Sequence, residues 1–200
     1  MLKFTDIKQV YFLGIGGIGM SALARYFASQ SIAVSGYDRT ATELTTALEN
    51  EGIAVHYNDD PAMLPSNLDI SNSLIVYTPA VPATHKELNA LINRGFEIHK
   101  RAEVLGIICN SKRTIAVAGT HGKTSVSTIT AHILKSSTKG CAAFMGGISK
   151  NYHTNLLLDD TGSEWIVAVA GRGCRSSRAR PCQNRRGRRA RCRRAHRATF

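Results

Sequence analysis

Two short glycine-rich segments carry the residues of this 200-residue sequence whose types and spacing could do chemistry. The first is Gly14-Ile15-Gly16-Gly17-Ile18-Gly19, in which Gly14, Gly16 and Gly19 fit the G-x-G-x-x-G spacing between an apolar run and a helical pattern. There the first glycine permits a tight turn, the second lets backbone approach a pyrophosphate, and the third lets helix and strand pack closely. Free N–H groups and the helix dipole favour an anion at such a turn. Asp38 ends the next apolar run, 19 residues after Gly19, close to the ~20-residue offset at which an acid meets a ribose hydroxyl. The pattern predicts binding of a nucleotide diphosphate without naming the nucleotide. NAD or NADP would make the protein a Rossmann oxidoreductase, but no other residues suggest hydride transfer.

The second segment is Gly119-Thr120-His121-Gly122-Lys123-Thr124, after the apolar run TIAVA. Gly-rich backbone can wrap phosphates, Lys123 can reach the β- and γ-phosphates, and the Thr124 hydroxyl can ligate Mg²⁺. A full eight-residue P-loop needs glycine at position 117, where this chain has Val117, so the loop is a shorter variant. His121 reads as a loop-shaping residue, since no partner lies at metal-ligand spacing.

These loops need strands to end on and helices to open. Strand-like runs at Gln9–Ile15, Ile32–Tyr37, Ile53–Tyr57, Leu74–Thr78 and Phe96–His99 alternate with helical patterns at Ile18–Ser29, Thr42–Glu51, Thr84–Arg94 and Ala102–Ile108. Met20, Leu23, Ala24 and Phe27 form one helix face, and Thr84 is the expected cap of the third helix. Asn110–Arg113 reads as a linker. Beyond it come a strand at Thr114–Ala118, a helix over Lys123–Lys135, and further strands at Cys141–Met145 and Trp165–Ala170. Alternation of this kind predicts an α/β fold with parallel sheets covered on both faces. A Rossmann-like domain over 1–110 would precede the start of a P-loop ATPase domain over 111–168. That second unit has few strands with which to cover its helices, so exposed apolar surface is expected there.

Charge separates this body from the remainder. Residues 1–165 hold 14 Lys plus Arg and 14 Asp plus Glu, whereas residues 166–200 hold 12 Arg and no carboxylate. The 169–200 stretch has no helical or alternating apolar pattern, and disorder is expected. Arg, Gly, Ala, Pro and Cys without acids is what GC-rich DNA yields out of frame, so the reading frame is expected to be lost soon after Trp165. The rival is an Arg-rich arm that binds nucleic-acid phosphates in a salt-dependent way. Cys174, Cys182, Cys192 and His196, spaced eight, ten and four apart, match no usual zinc pattern. Five cysteines without CxxC, and Asp6 where a signal segment would turn apolar, point to reduced thiols in the cytoplasm. No run of 18 apolar residues exists to span a membrane.

Taken together, GIGGIGMSALA at Gly14–Ala24, SGYDRT at Ser35–Thr40, YTPAVP at Tyr77–Pro82, KRAEVLG at Lys100–Gly106 and AGTHGKTS at Ala118–Ser125 resemble the Mur ligase family. The resemblance runs through most of residues 9–168. It is closest to the members that join L-alanine to UDP-N-acetylmuramate; a relative that salvages murein peptides shares the later loop. It implies that the first domain holds UDP-N-acetylmuramate rather than NAD, with Gly14, Gly16, Gly17 and Gly19 at the pyrophosphate. Asp38 would lie near the uridine end, Thr78 would border the pocket, and Asn155 would lie near substrate. It also implies that Lys123 holds ATP phosphates and Thr124 the Mg²⁺, with Gly119, Thr120, His121, Gly122 and Ser125 completing the loop. The implied reaction is peptidoglycan-precursor synthesis through an acyl phosphate, with no nucleic-acid or membrane partner. After Trp165–Ala170 the family carries a metal-supporting acidic cluster where this chain reads GRGCRSS. Ligase turnover by this chain is therefore not expected, while binding of the UDP-sugar is.

Overall fold

The structure, a computed structural model, describes residues 6–169. The Arg-rich stretch beyond residue 169, with Cys174, Cys182, Cys192 and His196, lies outside the described residues. The first sheet contains β1 (Gln9–Leu13), β2 (Ala33–Tyr37), β3 (Ala54–His56), β4 (Ser73–Tyr77) and β5 (Ile98–Lys100), all parallel, in the order β3-β2-β1-β4-β5. Every residue of β1 is buried, because a central parallel strand is covered on both faces. The chain leaves β1 towards β2 on one side and returns to β4 on the other. This reversal opens a crevice at the carboxyl ends of β1 and β4, the usual ligand site of such sheets. Register then sets the level: Leu13 pairs with both Tyr37 and Tyr77, so Gly14, Asp38 and Thr78 leave the sheet side by side.

Four helices cover this sheet. On α1 (Ile18–Ser29) the expected face of Met20, Leu23, Ala24 and Phe27 is buried. For α2 (Glu43–Asn50), Thr42 and Thr45 form a reciprocal capping box that satisfies two backbone amides. For α3 (Lys86–Asn93) the cap is His85, not the expected Thr84; the 80–84 stretch is spent on turns, which moves the first helical residue to Lys86. Among the described residues, α4 (Arg101–Ser111) overruns its expected end and absorbs Asn110 and Ser111, half of the supposed linker. Val104, Leu105, Ile108 and Cys109 are buried along it, and the Thr114 hydroxyl donates to the Cys109 carbonyl at 2.6 Å. Only Lys112 then separates α4 from β6 (Arg113–Val117).

The second sheet runs β6-β9-β7-β8, with β7 (Ala142–Phe144), β8 (Leu156–Leu157) and β9 (Trp165–Val169); α5 (Lys123–Lys135) packs on it. Here the all-parallel expectation fails, because β8 pairs antiparallel to β7. The chain folds back within residues 146–155, where the Ser149 amide donates to Thr154 O at 2.9 Å and the Met145 amide to Asn155 O at 3.0 Å. A turn this short can join only antiparallel strands. As expected, apolar surface stays open: Val126, Ile129 and Ile133 on α5 are more than half exposed.

The two sheets share one apolar core. Phe27, Val104 and Ile108 of the first layer cluster with Phe144, Leu156 and Ile166 of the second, and the Tyr26 and Phe144 rings lie 5.4 Å apart. Asn155 is fully buried in this seam. Its Nδ2 donates to Ile18 O at 2.6 Å and Ser21 Oγ at 2.7 Å, while its Oδ1 accepts from Arg25 Nη1 at 2.6 Å. The side chain that the resemblance puts near substrate is thus bonded to three residues of α1. Arg25 in turn holds Glu51 at 2.8 Å.

A polar network runs beneath the crevice. Glu87 is fully buried; its carboxylate accepts from Tyr11 Oη at 2.6 Å and from the Asp60 amide at 3.3 Å, and His56 Nε2 lies 2.8 Å from Tyr11 Oη. Burial pushes the Glu87 carboxyl up to about 7, and the charges of Asp59 and Asp60 add to this, against the lowering effect of the bonds from Tyr11 and Asp60. Burial also pushes the Tyr11 phenol up and the His56 imidazole down.

Two outcomes are expected. Asn155→Ala leaves Arg25, Ser21 and Ile18 O without their partner and lowers unfolding free energy by about 1–3 kcal/mol in urea titrations. For Glu87, the unfolded carboxyl ionises at its ordinary value and the folded one near 7, so its contribution to stability falls as pH rises between them. Glu87→Gln removes that fall, gaining on the order of 2 kcal/mol over the parent between about pH 5 and about pH 8.

Candidate functional site

The crevice at the ends of β1 and β4 is a cleft of about 640 Å³, with Gly14, Gly16 and Gly17 on one wall and Thr78, Val81 and Pro82 on the other. Gly14 has φ +88°, and a Cβ there would come 2.5 Å from Thr78 Cγ2, so both backbone conformation and space demand glycine. Its amide donates to Tyr37 O at 2.8 Å, locking the turn onto β2. The Gly16 amide donates to Asp38 Oδ2 at 2.7 Å, so Asp38 holds the loop as well as lining the cleft. Gly17 is the cap residue of α1, with no side-chain cap. The opening amides of Ile18 and Gly19 therefore have no intrahelical carbonyl to bond, and the dipole adds positive potential there. An anion fits this end.

The far end of the cleft is lined by Asp38, Arg39, Tyr37, Asp59 and His85. The Tyr37 and His85 rings meet edge-on at 4.4 Å. His85 Nδ1 lies 3.1 Å from Asp59 Oδ1 and 3.4 Å from the Leu88 amide. One nitrogen cannot serve both, and the shorter contact makes Nδ1–H the donor to Asp59, with the α3 cap contact weak. Nε2 is then an acceptor, buried and without a partner among the described residues. Burial lowers the imidazole's pKa against the opposing pull of Asp59. Burial raises the Asp59 carboxyl, but the amides of Lys86 and Glu87 that donate to it bring it below its ordinary value. Acceptors at this end suit the N–H and O–H groups of a nucleoside.

The second glycine segment joins β6 to α5. Gly122, at φ +73°, takes the left-handed conformation that turns the chain into the helix. Lys123 Nζ donates to Gly119 O at 2.8 Å and Thr120 O at 3.0 Å, which holds the ammonium over the loop. Gly119, Thr120, His121, Gly122 and Ser125 are exposed, and Thr124 turns towards Gly146 and Gly147, whose added Cβ atoms would each meet it at 3.3 Å. Among the described residues no cluster of three or more His, Cys, Asp or Glu could hold a metal ion. A Mg²⁺ here would have the Thr124 hydroxyl and would take its remaining oxygens from phosphates and water, as nucleotide-borne Mg²⁺ does.

A further cleft of about 360 Å³ lies between the loops, lined by Gly17, Gly19, Thr78, Arg101, Lys123 and Gly146 among others. It shares Gly17 and Thr78 with the first, so the two clefts adjoin at these residues. The fold thus gathers Gly14, Gly16, Gly17, Gly19, Asp38, Thr78 and Lys123 around two adjoining clefts, and Asn155 lines neither. Sequence reasoning missed Tyr37, Asp59, His85 and Arg101. Their signal was positional: Tyr37 ends β2, and Asp59, His85 and Arg101 follow β3, β4 and β5, at the carboxyl ends where ligands of a parallel sheet collect. No described helix is long and apolar enough to cross a membrane, and Cys109 and Cys141 are buried as thiols.

Comparison with known proteins bears on this arrangement. Residues 9–113 match the Mur ligase family, catalytic domain. The chain is 54% identical over 176 residues to a UDP-N-acetylmuramate–L-alanine ligase of Phocaeicola vulgatus and 48% identical over 178 residues to one of Cytophaga hutchinsonii. Each alignment covers 88% of this chain and 38% of the relative, so the chain spans well under half the length of these curated relatives. Among solved structures, the UDP-N-acetylmuramate–alanine ligase of Thermotoga maritima superposes with a TM-score of 0.69 at 29% identity, over 80% of this chain and 37% of that one. A UDP-N-acetylmuramate:L-alanyl-gamma-D-glutamyl-meso-diaminopimelate ligase from Neisseria meningitides shares the fold, with a TM-score of 0.73 at 24% identity over 82% and 52% of the two chains. A glycine-walled cleft on a Rossmann-like sheet, followed by a lysine-bearing glycine loop and matched at this identity over nearly the whole described chain, places the protein: it belongs to the Mur ligase family.

Proposed function

We propose that this chain supplies the substrate-holding and phosphate-holding parts of a ligase that joins L-alanine to UDP-N-acetylmuramate at the expense of ATP. Residues 1–110 are read as the UDP-substrate unit and residues 111–168 as the beginning of the ATPase unit. The observation that carries this reading is the pair of clefts, one lined by Asp38 and the other by Lys123, that adjoin at Gly17 of the glycine turn and at Thr78. There the uridine faces the carboxylates of Asp38 and Asp59 beside the His85 ring, and the pyrophosphate sits on the opening amides of α1. Lys123 and the Gly119–Ser125 backbone receive the ATP phosphates, with Thr124 as the protein's ligand to Mg²⁺.

The chemistry that needs two anion cradles is carboxylate activation. A carboxylate is a poor electrophile, so its oxygen attacks the γ-phosphorus and ADP departs. The L-alanine amine then attacks the resulting acyl phosphate, releasing inorganic phosphate and a proton as the amide forms. When bound, Mg²⁺ supplies charge neutralisation on the phosphates. The described residues contribute position and positive potential, which carry most of the catalysis in phosphoryl transfer. Peptidoglycan-precursor synthesis in the cytoplasm is the setting this reaction implies.

Calorimetric titration of the whole chain tests the reading. UDP-N-acetylmuramate is expected to bind and NAD not to; uptake of NAD with indifference to the UDP-sugar would replace the ligase reading with an oxidoreductase one. In a parallel ATP titration with Mg²⁺, Lys123→Ala is expected to weaken binding by about tenfold or more, the cost of losing a charged hydrogen bond to phosphate. An unchanged ATP affinity would remove Lys123 from the phosphate site.

A further inference from the structure

Arg101 opens α4 directly after β5, and its side chain lines the cleft between the two glycine loops. It is half-buried, and no carboxylate among the described residues lies within ion-pair distance of it. Arg25 and Arg113, by contrast, pair with Glu51 and Glu164. The acid nearest in sequence, Glu103, is occupied by the Lys100 amide at 3.0 Å. A guanidinium withdrawn from water without a counter-ion is costly unless something anionic joins it. It also lies flat against the α1 turn: a Cβ on Gly19 would come 2.6 Å from Arg101 Nη1 and 3.0 Å from Cζ. The residues lining this cleft include Lys123 and not one acid.

We propose that Arg101 grips the carboxylate of the sugar end of the substrate and presents it to the ATP phosphates held by Lys123. This rests on the reading of the first cleft as the UDP-N-acetylmuramate site. The position follows from the two adjoining clefts. With the nucleoside against Asp38 and Asp59 and the pyrophosphate at the opening of α1, the remainder of the ligand must pass Gly17 and Thr78, the residues common to both clefts. What lies beyond them is Arg101. The guanidinium fork offers two parallel N–H donors to a carboxylate, a geometry an ammonium cannot reproduce. Arg101 is thus a substrate-contacting residue that fixes which sugar nucleotide is accepted.

The test compares two ligands that differ in the carboxylate. UDP-N-acetylmuramate carries a lactyl acid on its sugar, and UDP-N-acetylglucosamine does not. Both are titrated calorimetrically against the whole chain and its Arg101→Gln and Arg101→Lys variants, with circular dichroism melting curves confirming that each variant folds. The expected result is that Arg101→Gln weakens UDP-N-acetylmuramate by about tenfold or more, with Arg101→Lys in between. UDP-N-acetylglucosamine should change by less than about twofold. Equal losses for both ligands would place Arg101 on the pyrophosphate and overturn the carboxylate assignment. Unchanged binding of both would overturn any contact with ligand. If the parent chain binds neither UDP-sugar, the functional reading itself fails and the assignment falls with it; if the parent binds and the variants match it, only the role of Arg101 fails.

Discussion

The register of three parallel strands fixes everything else about the groove. Leu13 lies opposite Tyr37 on one side and Tyr77 on the other, so the strand ends that carry Gly14, Asp38 and Thr78 arrive at one level. A slip of one residue would send the following side chains to opposite faces and uncouple them. From this alignment come the bond from the Gly14 amide to Tyr37 O, the bond from the Gly16 amide to Asp38, and the close approach of Thr78 to Gly14. The anion cradle is a property of the sheet, not of the glycine segment alone.

The second loop depends on the same framework at one remove. Lys112 is all that separates α4 from β6, and the seam between the sheets is packed by Phe144, Leu156 and Ile166 against α1 and α4. Asn155 closes that seam with three hydrogen bonds to α1 and Arg25. Buried polar groups satisfied on every side fix a particular geometry as well as adding stability. Here the geometry fixed is the placement of Lys123 in one cleft with Gly17 and Thr78. The electrostatics agree: acids gather in the Asp38 cleft, and cations in the Lys123 cleft.

Much of this was legible in the residue order. Periodicity set Ile18–Ser29 and Lys123–Lys135 with their observed limits, because each begins at a glycine turn and carries a burial pattern of helical period. The strands were found within a residue or two for the same kind of reason. The errors lie where tertiary packing overrode local cues. Asn110–Arg113 is polar enough to read as linker, yet Asn110 and Ser111 continue the helix behind the buried Ile108 and Cys109, and Arg113 opens β6. Thr84 is a better intrinsic cap than histidine, but the turns after Pro79 deliver His85 to the cap position. The two-residue strand Leu156–Leu157 is too short to show a period at all.

By itself the sequence determined the two glycine turns, the order of strands and helices, and the chemistry of Lys123, Thr124 and Asp38, because these depend on residue type and on neighbours within one turn or one strand. Tertiary structure alone decided that Asn155 bonds α1, that His85 and Asp59 line the cleft with Asp38, and that Arg101 and Lys123 line one cleft that holds no acid. Those relations join residues from 22 to 137 positions apart in the chain. No local pattern encodes them; they follow from strand register and from the burial of one shared core.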